Sequence, residues 1–231
     1  MAARRLPANT PVVMVGHSRG AKIAVRAASL RRAPKVTAMV LLDPVDSTSF
    51  EPLSVLPLLE SLRIPTAVVG AGNGADCAPV GANYDAFLAA LTQGGAVRLL
   101  GIIQNAGHLQ FVDRRRDTSD VCTYGKLKDD KVRGVAQAVL AVWCAAFVPG
   151  VAHRLVEGTE SVVGSEIVGS EANPTVEQAL ALGIARDSIS ARSDGAALAK
   201  SLRVLEERSA DMSAYVRWTI AAASTGPATL L

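Results

Sequence analysis

The sequence predicts an α/β fold in which a parallel sheet is covered by helices on both faces. Four apolar runs have the length and composition of strands buried on both sides, and they lie at residues 11–15, 36–42, 66–70 and 97–103. Helix-compatible stretches begin near Gly20 and cover residues 82–91, and residues 132–147 predict an apolar, alanine-rich closing helix. Strands that alternate with helices indicate a parallel sheet. Since 49% of the 231 residues are apolar and 19% are charged, the chain can bury a substantial core.

The sequence divides into two parts, a predicted core at residues 1–150 and a linker with a helical extension at residues 151–231. Residues 158–173 are rich in glycine, serine and glutamate without a sustained period, which is typical of a linker or a loose surface loop. Residues 175–182 and 195–209 predict helices. Two interpretations of this extension stay open: a helical cap packed on the core, or a poorly ordered tail.

Composition argues against several classes of function. Aromatic residues make up 4% of the chain and the net charge is only +3, so we expect no nucleic-acid partner. No apolar run approaches the roughly 18 residues that a membrane-spanning helix needs. The cysteines Cys77, Cys122 and Cys144 lack metal-ligand spacing, and we expect no metal site. A single bridge between Cys77 and Cys122 stays open.

The motif G-x-S-x-G occupies residues 16–20, directly after the first predicted strand and before a helix. A strand, a tight turn and a helix form the nucleophile elbow that exposes a serine hydroxyl at the top of a sheet. We expect Gly16 and Gly20 to let the strand and helix backbones approach closely. The context favours Ser18 as an esterase-type nucleophile over a plain β–turn–α connection, with the N–H of Arg19 in the oxyanion hole.

A serine hydroxyl becomes a good nucleophile when a histidine takes its proton and an acid orients that histidine. His108 follows the fourth predicted strand and is the candidate base, whereas His17 is expected to pack beside the serine. Asp43 closes the second predicted strand and is a candidate acid, with Asp46 and Asp76 as alternatives. Serine, acid and then histidine is the order along the chain in α/β-hydrolases.

The elbow Gly-His-Ser-Arg-Gly-Ala-Lys at residues 16–22 resembles the Gly-His-Ser-Arg-Gly-Gly-Lys elbow of chlorophyllases, the esterases that cleave the phytyl ester of chlorophyll. Residues 42–46 resemble the Ile-Asp-Pro-Val segment of that family, and this resemblance favours Asp43 over Asp76 as the acid. Residues 77–87 resemble the family's Cys-Ala-Pro segment, and residues 107–113 resemble the region of its catalytic histidine.

The resemblance implies an α/β-hydrolase fold and a carboxylesterase that releases chlorophyllide and phytol through Ser18, His108 and Asp43. It implies acyl transfer without a cofactor, a hydrophobic ester as substrate, a possible peripheral contact with a membrane, and a chloroplast location. A general carboxylesterase or lipase, and an inactive paralogue that acts as a binding protein, are the alternatives.

One departure from the family concerns the start of the chain. In members of this class, several strands precede the elbow strand, and so does the loop that carries the second oxyanion donor. Only about ten residues precede that strand here, so the sequence resembles an N-terminally truncated member.

Overall fold

The computed structural model describes residues 7, 10–30, 35–46, 53–96, 98–113, 122–148 and 216–221. The elements are, in chain order, β1 (Val12–His17), α1 (Arg19–Ser29), β2 (Val36–Leu42), α2 (Leu56–Ser61), β3 (Thr66–Ala71), α3 (Tyr84–Gly94), β4 (Arg98–Ile103), a 3-10 helix (His108–Phe111), α4 (Asp129–Phe147) and β5 (Val216–Ala221). Strands alternate with helices through the first four strands, and the predicted α/β class is confirmed.

The five strands form one sheet in the order β1-β2-β3-β4-β5. The first four are parallel, as predicted, and β5 pairs with β4 in the antiparallel direction, with Ile103 opposite Val216. The parallel pairing predicted for the first four strands is confirmed, and β5, which the sequence did not predict, adds an antiparallel strand at this edge. The extension predicted as linker and helices also contributes a strand to the sheet of the core. Its predicted linker at residues 158–173 and helices at 175–182 and 195–209 lie outside the described residues.

Two apolar layers pack the helices against the sheet. One layer lies between the sheet and α4 and includes Val40, Val69, Leu99, Val135, Val139 and Trp143. The other lies between the opposite face and helices α1, α2 and α3 and includes Val25, Met39, Leu41, Leu59, Val68, Phe87 and Leu91. Because both faces of β2 and β3 are covered, their sequences are apolar at nearly every position.

Local residue chemistry explains several element boundaries. Pro57 lies in the first turn of α2, where its missing N–H would have no helical partner. The Asn83 side chain accepts a hydrogen bond from the backbone N–H of Asp85 at the start of α3, and Gly95 ends that helix with φ 68°. Among the described residues, no helix combines the length and hydropathy needed to cross a bilayer.

Parallel pairing brings the carboxyl ends of β1 to β4 to one edge of the sheet. Ser18 follows β1, Asp43 follows β2, and the 3-10 helix that begins with His108 lies five residues beyond the end of β4. The fold therefore gathers these three residues at the same edge.

Candidate active site

The turn between β1 and α1 holds Ser18 in an unusual backbone conformation. Its φ is 57° and its ψ is −129°, a combination that costs a non-glycine residue on the order of 1–3 kcal/mol. Hydrogen bonds on both sides hold this turn in place. The Ser18 N–H donates to the carbonyl oxygen of Leu42 at 3.0 Å, and the Ser18 carbonyl accepts from Ala21 at 3.0 Å and from Val45 at 3.3 Å. The serine is thus fixed against the loop that follows β2.

The two glycines of the elbow differ in how much space they have. A Cβ atom on Gly16 would lie 2.5 Å from the carbonyl oxygen of Gly20 and 2.6 Å from the backbone N of Ala21. A Cβ atom on Gly20 would meet nothing within 4 Å. The expectation that both glycines serve close backbone approach therefore holds for Gly16 and is wrong for Gly20.

Ser18, His108 and Asp43 form a continuous hydrogen-bonded line. The Asp43 Oδ2 atom lies 2.7 Å from His108 Nδ1, and the Ser18 Oγ atom lies 2.9 Å from His108 Nε2. A carboxylate only accepts hydrogen bonds, so Nδ1 carries the imidazole proton, and Nε2 is left to accept from the serine hydroxyl. His108 is 3% exposed and Asp43 is fully buried, so water competes little for these bonds.

The surroundings of Asp43 fix its carboxylate in this position. The backbone N–H of Ala71 donates to Asp43 Oδ1 at 2.9 Å, and the Asp43 N–H donates to the Val69 carbonyl at 2.6 Å. A Cβ atom on Gly74 would lie 2.6 Å from Asp43 Oδ2. The last residue of β3 thus supplies a hydrogen-bond donor to the carboxylate, and a side chain at position 74, in the loop after β3, would displace that carboxylate. Neither Ala71 nor Gly74 carries a sequence signal for this role.

The structure gives Asp46, one alternative acid, a different set of partners. Its Oδ1 atom accepts from the backbone N–H of Val55 at 2.8 Å, and its own N–H donates to the carbonyl of Ala82 at 2.8 Å. The Lys22 Nζ donates to the Asp46 carbonyl oxygen at 2.9 Å. Both ring nitrogens of His108 are occupied by Ser18 and Asp43, so Asp46 has a structural position beside the site.

Asp76, the other alternative acid, is exposed and joins two loops. Its Oδ1 atom accepts from the N–H of Cys77 at 2.9 Å, and its Oδ2 atom accepts from the N–H of Thr123. Partial burial acts to raise the pKa of Asp76, but hydrogen bonds from the side chain and backbone of Thr123 and from Cys77 outweigh it and lower the pKa below its ordinary value. Next to this contact, Cys77 and Cys122 form a disulfide, the bridge that the sequence left open.

The side chain of His17 hydrogen-bonds to the backbone of His108 and packs against its ring. Its Nε2 atom donates to the backbone carbonyl of His108 at 2.9 Å, and the two rings lie 4.8 Å apart between centroids. The ring also packs near Phe111, at 5.9 Å. Burial, followed by the charge of His108, lowers the pKa of His17 in spite of that hydrogen bond. The expectation that His17 packs beside the serine is therefore incomplete, since its hydrogen bond goes to the His108 segment.

Arg19 is the first residue of α1, and its side chain is exposed. The first N–H groups of a helix have no acceptor within the helix and carry the positive end of its dipole. The backbone N–H of Arg19, directly after Ser18, is therefore suited to an anion that forms beside the serine. The described residues contain no group of three His, Cys, Asp or Glu side chains that could hold a metal ion.

An α/β fold with a serine at the turn between a strand and a helix, followed along the chain by an aspartate and a histidine, has the architecture of the α/β-hydrolase class. A family model described as Chlorophyllase matches residues 5–157, which is 153 of the 231 residues. The chain therefore belongs to the chlorophyllase family, and at the level of the family it is a chlorophyllase-like ester hydrolase. A search of curated proteins found no match.

Proposed function

We propose that this chain is a serine carboxylesterase that hydrolyses the phytyl ester of chlorophyll to chlorophyllide and phytol. The observation that carries the proposal is the hydrogen-bonded line from Ser18 through His108 to the buried Asp43. The choice of ester is supported by membership of the chlorophyllase family. The same proposal implies a hydrophobic substrate, delivered through contact with an apolar phase, and a chloroplast location.

Acylation begins when Ser18 Oγ attacks the carbonyl carbon of the ester. His108 Nε2, 2.9 Å away, takes the hydroxyl proton, and Asp43 Oδ2 stabilises the imidazolium that results. Negative charge develops on the former carbonyl oxygen, and the N–H of Arg19 is placed to donate to it. The bond to the phytyl oxygen then breaks, His108 returns the proton to that oxygen, and phytol leaves.

Deacylation uses the same residues with water as the nucleophile. His108 Nε2 accepts a proton from water while the water oxygen attacks the carbonyl of the acyl-enzyme. The bond to Ser18 Oγ breaks, the serine recovers its proton from His108, and chlorophyllide leaves as the acid. The sequence of steps balances with ester and water alone.

The test compares the purified chain with Ser18→Ala on two substrates, chlorophyll and a short p-nitrophenyl ester. Ser61→Ala, at an exposed position on α2, is the matched control, since it makes the same substitution away from the site. Release of chlorophyllide by the wild-type chain and by Ser61→Ala, together with its loss in Ser18→Ala, is the expected result.

Two other results would contradict the proposal in different ways. Serine-dependent turnover of the short ester alone would keep the carboxylesterase and remove chlorophyll as the substrate. Folded protein without any Ser18-dependent turnover would refute the enzyme and favour a paralogue that binds its ligand without cleaving it.

A further inference from the structure

Gln110 is a buried amide in the 3-10 helix that begins with His108. Its exposed fraction is 1%, and both atoms of its amide are hydrogen-bonded. The Oε1 atom accepts from the backbone N–H of Gly107 at 2.8 Å and from that of Gly125 at 3.0 Å. The Nε2 atom donates to the Leu127 carbonyl at 2.7 Å and to Asp129 Oδ1 at 2.8 Å. Two acceptances and two donations use the full capacity of a primary amide.

The four partners make the orientation of this amide unambiguous. Two N–H groups face its oxygen, while a carbonyl and a carboxylate oxygen face its nitrogen. Rotating the amide by 180° would bring donors against donors and acceptors against acceptors. A glutamine with four satisfied bonds in a buried position holds its neighbours in one arrangement, because losing any bond leaves a buried polar group unpaired.

These bonds connect the residue before His108 to the segment at residues 122–128 and to Asp129, the first residue of α4. The two backbones also pack without space for side chains: a Cβ atom on Gly107 would collide with the Thr123 carbonyl, and one on Gly125 with the Asn105 carbonyl. The Lys126 N–H donates to that Asn105 carbonyl at 2.7 Å. The loop that carries the base therefore lies directly against the segment at residues 122–128.

The same segment is tied to the loop after β3, which packs against the carboxylate of Asp43. Cys122 is bonded to Cys77, and the N–H of Thr123 donates to Asp76, both in the loop after β3. That loop contains Gly74, whose backbone packs against the Asp43 carboxylate. Residues 122–128 thus join the loop that carries His108 to the loop after β3 that packs against Asp43, and the Gln110 amide makes the connection on the His108 side.

We infer that Gln110 is a positioning residue for His108: its amide holds the base loop so that both imidazole nitrogens stay in reach of Ser18 and Asp43. The inference rests on the proposed function, since it concerns the base of that mechanism. Nε2 and Nδ1 of His108 lie 2.9 Å and 2.7 Å from their partners, and a displacement of about 1 Å at such a site can cost about 100-fold in rate.

Gln110→Glu is the sharpest perturbation, because it keeps the shape of the side chain. It replaces the two N–H donors with an oxygen that faces the Leu127 carbonyl and the Asp129 carboxylate. We expect kcat for a short p-nitrophenyl ester to fall about 10- to 100-fold while KM changes less than about twofold. Gln137→Glu, the same substitution at an exposed position of α4, is the matched control and is expected to match the wild type.

Asp129→Ala provides a milder second variant, which removes one of the two acceptors of the Gln110 amide. Asp130→Ala is its control, since both aspartates lie in the first turn of α4 and only Asp129 bonds to Gln110. We expect a fall in kcat of about two- to fivefold for Asp129→Ala and no fall for Asp130→Ala. This pair keeps the inference testable if Gln110→Glu does not fold.

A proton resonance separates this inference from the proposed function. The His108 Nδ1 proton, in a hydrogen bond of 2.7 Å to Asp43, is expected to give a low-field NMR signal. Loss of the signal in Asp43→Asn would assign it, and its detection needs no turnover. The inference expects Gln110→Glu, and to a smaller extent Asp129→Ala, to shift or broaden this signal while the controls preserve it. The inference would be overturned if folded Gln110→Glu kept both the signal and kcat of the wild type. If only Asp129→Ala folds, the same result in that variant would overturn it. A wild-type chain with the signal but without Ser18-dependent turnover would refute only the proposed function.

Discussion

Replacing the buried acid by its amide, Asp43→Asn, perturbs the hydrogen-bonded line while keeping the size of the side chain. The asparagine has two ways to fit. With its oxygen toward the N–H of Ala71 it keeps the 2.9 Å hydrogen bond of the wild type and turns its NH₂ group toward His108. The opposite orientation would set a donor against the buried Ala71 N–H and cost roughly 1–3 kcal/mol. The first orientation is therefore favoured.

That orientation reverses the hydrogen bonding of the imidazole. The asparagine NH₂ donates to His108 Nδ1, so the imidazole proton moves to Nε2, which can then only donate toward Ser18. A base that already carries a proton at Nε2 cannot take one from the serine. The loss in kcat is expected to be on the order of 10⁴-fold, the effect of the wrong histidine tautomer in serine hydrolases, which corresponds to about 5.4 kcal/mol of transition-state stabilisation.

The assay is kcat/KM for a short p-nitrophenyl ester, with folding checked by thermal unfolding. Asp76→Asn is the matched control, because Asp76 is one of the two alternative acids and is exposed. The described hydrogen bonds of Asp76 go to Cys77 and Thr123 and not to His108, so Asp76→Asn should lose far less activity than Asp43→Asn. Equal losses in the two variants, or a larger loss in Asp76→Asn, would refute the assignment of Asp43 as the acid.

Three further predictions concern the elbow, a histidine and the disulfide. Gly16→Ala is expected to lower the free energy of unfolding by about 1–3 kcal/mol and to reduce hydrolysis, because the new Cβ would collide with backbone. Gly20→Ala should leave the free energy of unfolding unchanged or raise it by up to about 1 kcal/mol. Urea unfolding measures both variants, and equal changes for Gly16→Ala and Gly20→Ala would contradict this account. Burial, and then the charge of the neighbouring imidazole, lower the pKa of His17, so the unfolded chain binds more protons than the folded one below about pH 6.5. The contribution of His17 to the free energy of unfolding is therefore complete above that pH and is lost as the pH falls. In His17→Gln the free energy of unfolding should depend less steeply on pH. A slope equal to that of the wild type would argue against this linkage. Replacing Cys77 and Cys122 by serine opens a loop with a sequence separation of 45, which should cost about 4 kcal/mol in chain entropy. Unfolding midpoints that match those of the wild type would show that the bridge contributes nothing.

Much of the central fold follows from the sequence because its signals are local. Residues 36–42 are predicted and observed as a strand with the same bounds, since an apolar run that is buried on both faces needs no partner to be recognised. The motif around Ser18 fixes a strand, a turn and a helix at once. Once the strands are parallel, residues that follow their ends meet at one edge, so Ser18, Asp43 and His108 could be named together before their geometry was known.

Features that depend on distant contacts escaped prediction. Val216–Ala221 has β-branched and aromatic residues suited to a strand, but its pairing with β4 joins segments separated by more than 100 residues. The sequence left three aspartates as candidate acids, and only the resemblance ranked them. In the structure the difference lies in the N–H of Ala71, a backbone group that donates to Asp43 and carries no sequence signal. Gln110 escaped for the same reason, because three of its four partners lie 15 to 19 positions further along the chain.

The most direct measurement of the central claim is covalent labelling of the folded chain by a fluorophosphonate, followed by mass spectrometry of its peptides. An activated serine attacks the phosphorus and releases fluoride, whereas an ordinary serine hydroxyl reacts poorly. The account expects rapid labelling confined to Ser18, slowed strongly by Asp43→Asn and far less by Asp76→Asn. Folded protein in which Ser18 stays unlabelled, or is labelled at the same rate in both variants, would contradict it.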